Sequence, residues 1–184
     1  MNRLIVGVAL GALALSACNK SKNSDTTTVE RNVLIDNGAA AATTASAADQ
    51  AFVEAAAASN MVEIESSKLA LTKATLPSIR TYAQMMIDDH GKASTDLAAA
   101  AAGAGATVPT ALPADQQTKL DALGKLSGAA FDKQYLADQK AGHVATLAKL
   151  KDYGASAPAG GLKDFANATA PVVQKHLDTL EKIK

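Results

Sequence analysis

The 184-residue chain has three histidines, and each falls among apolar residues spaced for one side of a helix. His90 follows Ile79, Tyr82, Ala83 and Met86 and precedes Ala93 and Leu97, positions that recur every three to four residues. His143 lies in the run Tyr135, Leu136, Gln139, Thr146, Leu147, Leu150. His176 lies in the run Leu162, Phe165, Thr169, Val173, Leu180, Ile183. Upstream, Glu63 is the only charge on a face made of Phe52, Ala56, Ser59, Asn60, Ser67, Ala70 and Ala74. Three imidazoles and one carboxylate form a ligand set for a single zinc, iron or copper ion. Met86 stands one turn before His90, and a thioether there would favour copper. Gln139 stands one turn before His143, where its amide could orient the imidazole. The alternative is a polar layer without metal, its histidines bonded to Glu63, Gln139, Thr146, Thr169 or Tyr82 and serving only to specify helix packing. Asp88 and Asp89 read as a solvated pair at the rim. No nucleophile elbow, phosphate loop or dinucleotide fingerprint is present, so no catalytic residue is assigned.

These residues need helices to bring them together. A first helix is expected from Ser46, which can cap it, to about Ala74. Pro77 suits the first turn of a second helix, where no N–H partner is needed; Gly103 and Gly105 end that helix. Asp115 to Leu126 reads as a short helix, with leucines at 120, 123 and 126. Ser127 is placed to cap a helix over 128–153, and Gly154 to Gly161 reads as a turn. The last helix spans Leu162 to about Ile183, with Pro171 inside it freeing the carbonyl of Asn167 and kinking it. The sequence thus predicts an all-α antiparallel four-helix bundle with an extra short helix between its second and third long ones. Counted from the turns, Glu63, His90, His143 and His176 lie at depths agreeing within about one helical turn, so they can share a layer.

Composition agrees with this class. Hydrophobic residues make up 48% and aromatics only 3%, and much of the difference is alanine, the best helix former. The 18 Lys and Arg balance the 18 Asp and Glu without a basic stripe, which argues against nucleic acid as a partner. No protein partner is indicated. The lone cysteine excludes an internal disulfide. Its surroundings explain it: a positive start at Arg3, an apolar run from Leu4 to Leu15, then Leu15-Ser16-Ala17-Cys18. This resembles the lipobox of bacterial lipoproteins, and the run is too short for a membrane-spanning helix, which needs ~20 residues. The expected organisation is a signal peptide over 1–17, a lipid-anchored flexible linker over 18–45 and a bundle over 46–184. Within the linker, Val33-Leu34-Ile35 is the one apolar interruption. Asn19 after the cysteine resembles an outer-membrane address, with the bundle facing the periplasm and Cys18 tying it to the membrane.

The segments FVEAAAASNMVEIESSKLALTKA, IRTYAQMMIDDHGKA, LSGAAFDKQYLADQKAGHVATL and LKDFANATAPVVQKHL resemble the domain-of-unknown-function 4142 family. The stretch ending in Asp88-Asp89-His90 and the turn at Leu126–Asp132 carry the resemblance most specifically. It implies an exported protein with a ferritin-like four-helix fold, and it implies no activity. Ferritin-like di-iron centres place a Glu three residues before each of two ligating histidines. Here those positions hold Ile87, Lys140 and Val173, so the bridging carboxylates are missing, and the set that remains suits a single ion and not a di-iron pair.

Overall fold

The structure is a computed structural model and describes residues 44–183. The expected signal peptide, Cys18, Asn19 and the Val33-Leu34-Ile35 stretch lie outside the described residues. The described residues form an all-α bundle: α1 (Ala47–Lys73), α2 (Pro77–Ala104), α3 (Ala114–Gly124), α4 (Gly128–Ser156) and α5 (Gly161–Leu180). Helix α1 packs on α2 and α4, and α5 packs on the same two, so the four long helices close a square. The short α3 lies against α1 and α4. Among the described residues no helix is long and apolar enough to cross a membrane.

Local chemistry sets the helix limits. Ser46 Oγ accepts the N–H of Asp49 at 3.1 Å and caps α1. Pro77 opens α2, and Gly105, at φ 68°, ends it in the left-handed conformation that a side chain disfavours. Ser127 occupies the N-cap of α4 but makes no side-chain capping bond. The turn expected from Gly154 begins later, because α4 continues to Ser156. The Ala157 N–H closes onto the Tyr153 carbonyl at 2.9 Å, and Pro158 then stops the chain. A helical glycine costs only about 1 kcal/mol relative to alanine, too little to end a helix that packing holds. Pro171 lies within α5 on its exposed side.

The turn between α1 and α2 is fastened to α4 by Asp132. Its carboxylate accepts the Thr75 N–H at 3.0 and 3.2 Å and also the Thr75 hydroxyl. Asp132 is 6% exposed, and removing its carboxylate deletes the bonds from both the backbone N–H and the hydroxyl of Thr75. Asp132→Ala is expected to lower unfolding free energy by about 2 kcal/mol in urea titrations, with the slope unchanged.

Two apolar clusters fill the bundle. One contains Phe52, Leu97, Leu147, Leu150, Phe165 and Val173. The other contains Ile79, Met86, Phe131, Tyr135 and Leu180. On α2 the clusters leave off at Met86 and resume at Leu97; on α4 the gap is from Tyr135 to Leu147, and on α5 from Val173 to Leu180. Each gap holds one histidine. The gap on α1, between Ala57 and Ala70, holds Asn60 and Glu63. The core is therefore two apolar blocks separated by one polar layer.

Candidate metal centre

His90, His143 and His176 are 3%, 1% and 1% exposed. Their ring centroids stand 5.6, 5.3 and 5.2 Å apart, a nearly equilateral triangle contributed by α2, α4 and α5. One ring nitrogen from each lies within 4.8 Å of the other two.

The partners of the outer nitrogens decide where the protons sit. His90 Nδ1 is 2.9 Å from the Asn60 side-chain oxygen, which only accepts, so Nδ1 carries the hydrogen. His143 Nδ1 is 2.8 Å from the Gln139 carbonyl oxygen, and the same reasoning applies. His176 Nε2 is 2.9 Å from Asp89 Oδ2, a carboxylate acceptor. In neutral rings this leaves lone pairs at His90 Nε2, His143 Nε2 and His176 Nδ1. The first is buried with no hydrogen-bond partner. The other two face each other at 3.1 Å.

Burial keeps the rings neutral. It pulls His90 down to about 3 and His143 to about 4, with the neighbouring imidazoles adding to the effect. It lowers His176 as well, against the opposing pull of Asp89. Two facing lone pairs repel unless a cation lies between them. A proton could serve that one pair, at the cost of charging a buried ring, and would leave His90 Nε2 unmatched. A metal ion would use all three. Two nitrogens bound at ~2.0–2.1 Å to one ion would be about 2.8–3.0 Å apart at octahedral angles and about 3.3–3.4 Å apart at tetrahedral ones, values that bracket the observed 3.1 Å.

Of the other residues singled out in the sequence, Glu63 stands elsewhere. Its Oε1 is 3.4 Å from His143 Nδ1, the nitrogen turned away from the cluster, so it backs a ligand instead of joining the inner nitrogens. Burial pushes the Glu63 carboxyl up to about 8, although a hydrogen bond donated by Gln139 Nε2 at 2.5 Å opposes the shift. With His143 neutral and Glu63 protonated at pH 7, the contact is not an ion pair. Gly142 lets α4 come close here, since a Cβ at that position would lie 3.2 Å from Glu63 Oε1. Gln139 meets His143 through its backbone carbonyl, while the amide expected to orient the imidazole goes to Glu63 and Ser66. Met86 is fully buried and packs in the apolar block with Tyr82 and Phe131. Thr146 pairs with Ser59 at 2.9 Å, and the buried Tyr82 hydroxyl has no partner.

Asp89 corrects the sequence reading. It was expected to be solvated, yet it is the hydrogen-bond partner of His176, with its side chain 37% exposed. Asn60 was placed on the correct face without a role, and it holds His90. Neither carries a sequence signal of its own. Asp89 adjoins His90 in the chain, and only the approach of α5 brings it to His176.

The shifts fix how the metal-free chain responds to pH. The depressed histidines contribute stability that is complete above their ordinary value of 6.5 and is lost as pH falls toward 4 and 3. The raised Glu63 contributes stability that is complete below 4.5 and is lost as pH rises through 8. Melting temperature in chelator should therefore peak near pH 6.5, and each unmatched proton costs about 1.4 kcal/mol per pH unit on either side. A scan from pH 4.5 to 8.5 checks this.

The family model described as Domain of unknown function (DUF4142) matches residues 36–183. No curated protein and no solved structure matches the chain.

Proposed function

The chain belongs to the domain-of-unknown-function 4142 family, and we propose that it binds one first-row transition-metal ion through His90 Nε2, His143 Nε2 and His176 Nδ1. The observation that carries this reading is the convergence of three neutral nitrogens whose opposite ring edges are each held by an acceptor: Asn60 oxygen, the Gln139 carbonyl and Asp89. Ligating histidines are ordinarily held this way, because the outer bond fixes both tautomer and ring orientation. A layer built only for packing would have paired His90 Nε2 internally, as buried polar groups generally are. Neutral imidazole suits zinc, copper and iron. Met86, packed among apolar side chains, gives no particular preference for copper.

The three rings are 1–3% exposed, so an ion held in this site would be shielded from bulk water. We assign no reaction to it. In this reading the bundle is a metal-binding or metal-sensing module of the cell envelope. It is held through lipid at Cys18 on a tether over 18–45, with the outer membrane facing the periplasm as its address.

Calorimetric titration against a chelator of known affinity tests the metal reading. The wild-type chain should take up one ion, and His90→Ala none. Asp89→Ala, which frees the His176 ring to turn, should bind about 10- to 100-fold more weakly with the stoichiometry unchanged. Equal uptake by wild type and His90→Ala would refute the assignment.

A further inference from the structure

A cavity of about 390 Å³ opens between α1, α3 and α4, and none of the three histidines lines it. We infer that it is a binding site for a neutral, mainly apolar small molecule that carries one hydrogen-bond donor. The volume is in the range of small-molecule sites, and the walls are apolar: Phe52 and Val62 of α1, Leu120 and Leu123 of α3, Leu150 of α4. The floor is polar, formed by the Ser59–Thr146 hydroxyl pair, Ser66, Gln139 and Glu63.

The polar floor is incomplete. Gln139, 2% exposed, donates its amide N–H groups to Glu63 and Ser66 at 2.5 and 3.3 Å, and both of those residues line the cavity. Its amide oxygen, on the same carbon, has no partner within the protein. That oxygen has almost no surface open to the cavity, so the acceptors a guest O–H or N–H meets there are the Ser59 and Thr146 hydroxyl oxygens, which keep free lone pairs. Neutrality of the guest follows from the lining: Asp115 and Asp138 are matched by Lys119 and Lys149, and the walls are mainly apolar. Such a cavity cannot repay the desolvation of an ionic guest. The small residues Ala141 and Ala145 on α4 keep the mouth open.

The test uses the full chain stripped of metal, so its result does not depend on the metal reading. 2-Naphthol, an apolar ring system with one phenolic donor, is titrated by its fluorescence and compared with 2-methoxynaphthalene, which lacks the donor. The expected result is saturable binding of one naphthol per chain, with the ether about fivefold weaker, the effect of one neutral hydrogen bond. Ala145→Phe fills the mouth from an exposed position and should weaken naphthol binding at least about tenfold. Ala141→Leu, also exposed, repeats the test with a smaller side chain. No saturable binding, equal affinity for the ether, or unchanged affinity in both folded variants would overturn the inference.

Discussion

Saturating the wild-type chain with its preferred ion raises the melting temperature by roughly 12 °C, and His90→Ala abolishes the rise. The size follows from linkage: an ion that binds only the folded state at a thousand times its Kd adds about 4 kcal/mol. For a domain of this length, each kcal/mol is worth about 3 °C. The folded state alone brings the three nitrogens within 4.8 Å, because they come from three helices at positions 90, 143 and 176. The unfolded chain has no comparable site. Differential scanning calorimetry in chelator and in excess zinc, copper or iron checks the prediction and ranks the ions. In the metal-free state His90→Ala should itself lower the melting temperature, because it leaves a cavity and removes the partner of buried Asn60, so the readout is the metal-induced rise.

Phe131→Ala should produce the opposite pattern, a large loss of stability with metal stoichiometry preserved. Phe131 is fully buried and stacks on Tyr135 with ring centroids 5.8 Å apart and planes 11° from parallel. Tyr135 is itself fixed by a buried hydrogen bond to Ser67 at 2.8 Å. Truncating a core phenylalanine costs about 3–5 kcal/mol, through lost transfer energy and the cavity left behind. That corresponds to a fall of roughly 12 °C. The lost ring belongs to the apolar block on one side of the polar layer, and none of the hydrogen bonds that hold the histidines involves it. Thermal melts and bound-metal counts on the same preparation separate the two effects. His90→Ala should lose the ion and with it the metal-induced rise, whereas Phe131→Ala should lose stability and keep both.

The polar layer was legible because helical periodicity is a strong signal over runs of twenty residues or more, and each histidine interrupted an apolar stripe. Depth counted from the turns then placed all three at one level. The same counting put Glu63 in the layer, which holds. It could not distinguish the inner from the outer edge of the His143 ring, a distance of a few Å set by rotamers. Asp89 was misread because a helix position adjacent to an inward one points about 100° away and usually meets water. Its partner comes from α5, and the crossing of two helices is not written in either one. The ring tautomers depend on three acceptors, one of them a backbone carbonyl with no residue identity to read. The cavity beside α3 was also out of reach, since it arises where alanines and a glycine on α4 leave α1 unfilled.

The most direct test of the metal centre is elemental analysis combined with X-ray absorption spectroscopy on the untagged chain purified from metal-replete cells. The predicted result is about one zinc, copper or iron per chain, with three imidazole nitrogens at ~2.0–2.1 Å and no sulfur in the shell. That ion should be absent from His90→Ala. A folded wild-type chain that carries no ion and takes up none of the three metals would contradict the account, and would leave the histidines as a packing layer.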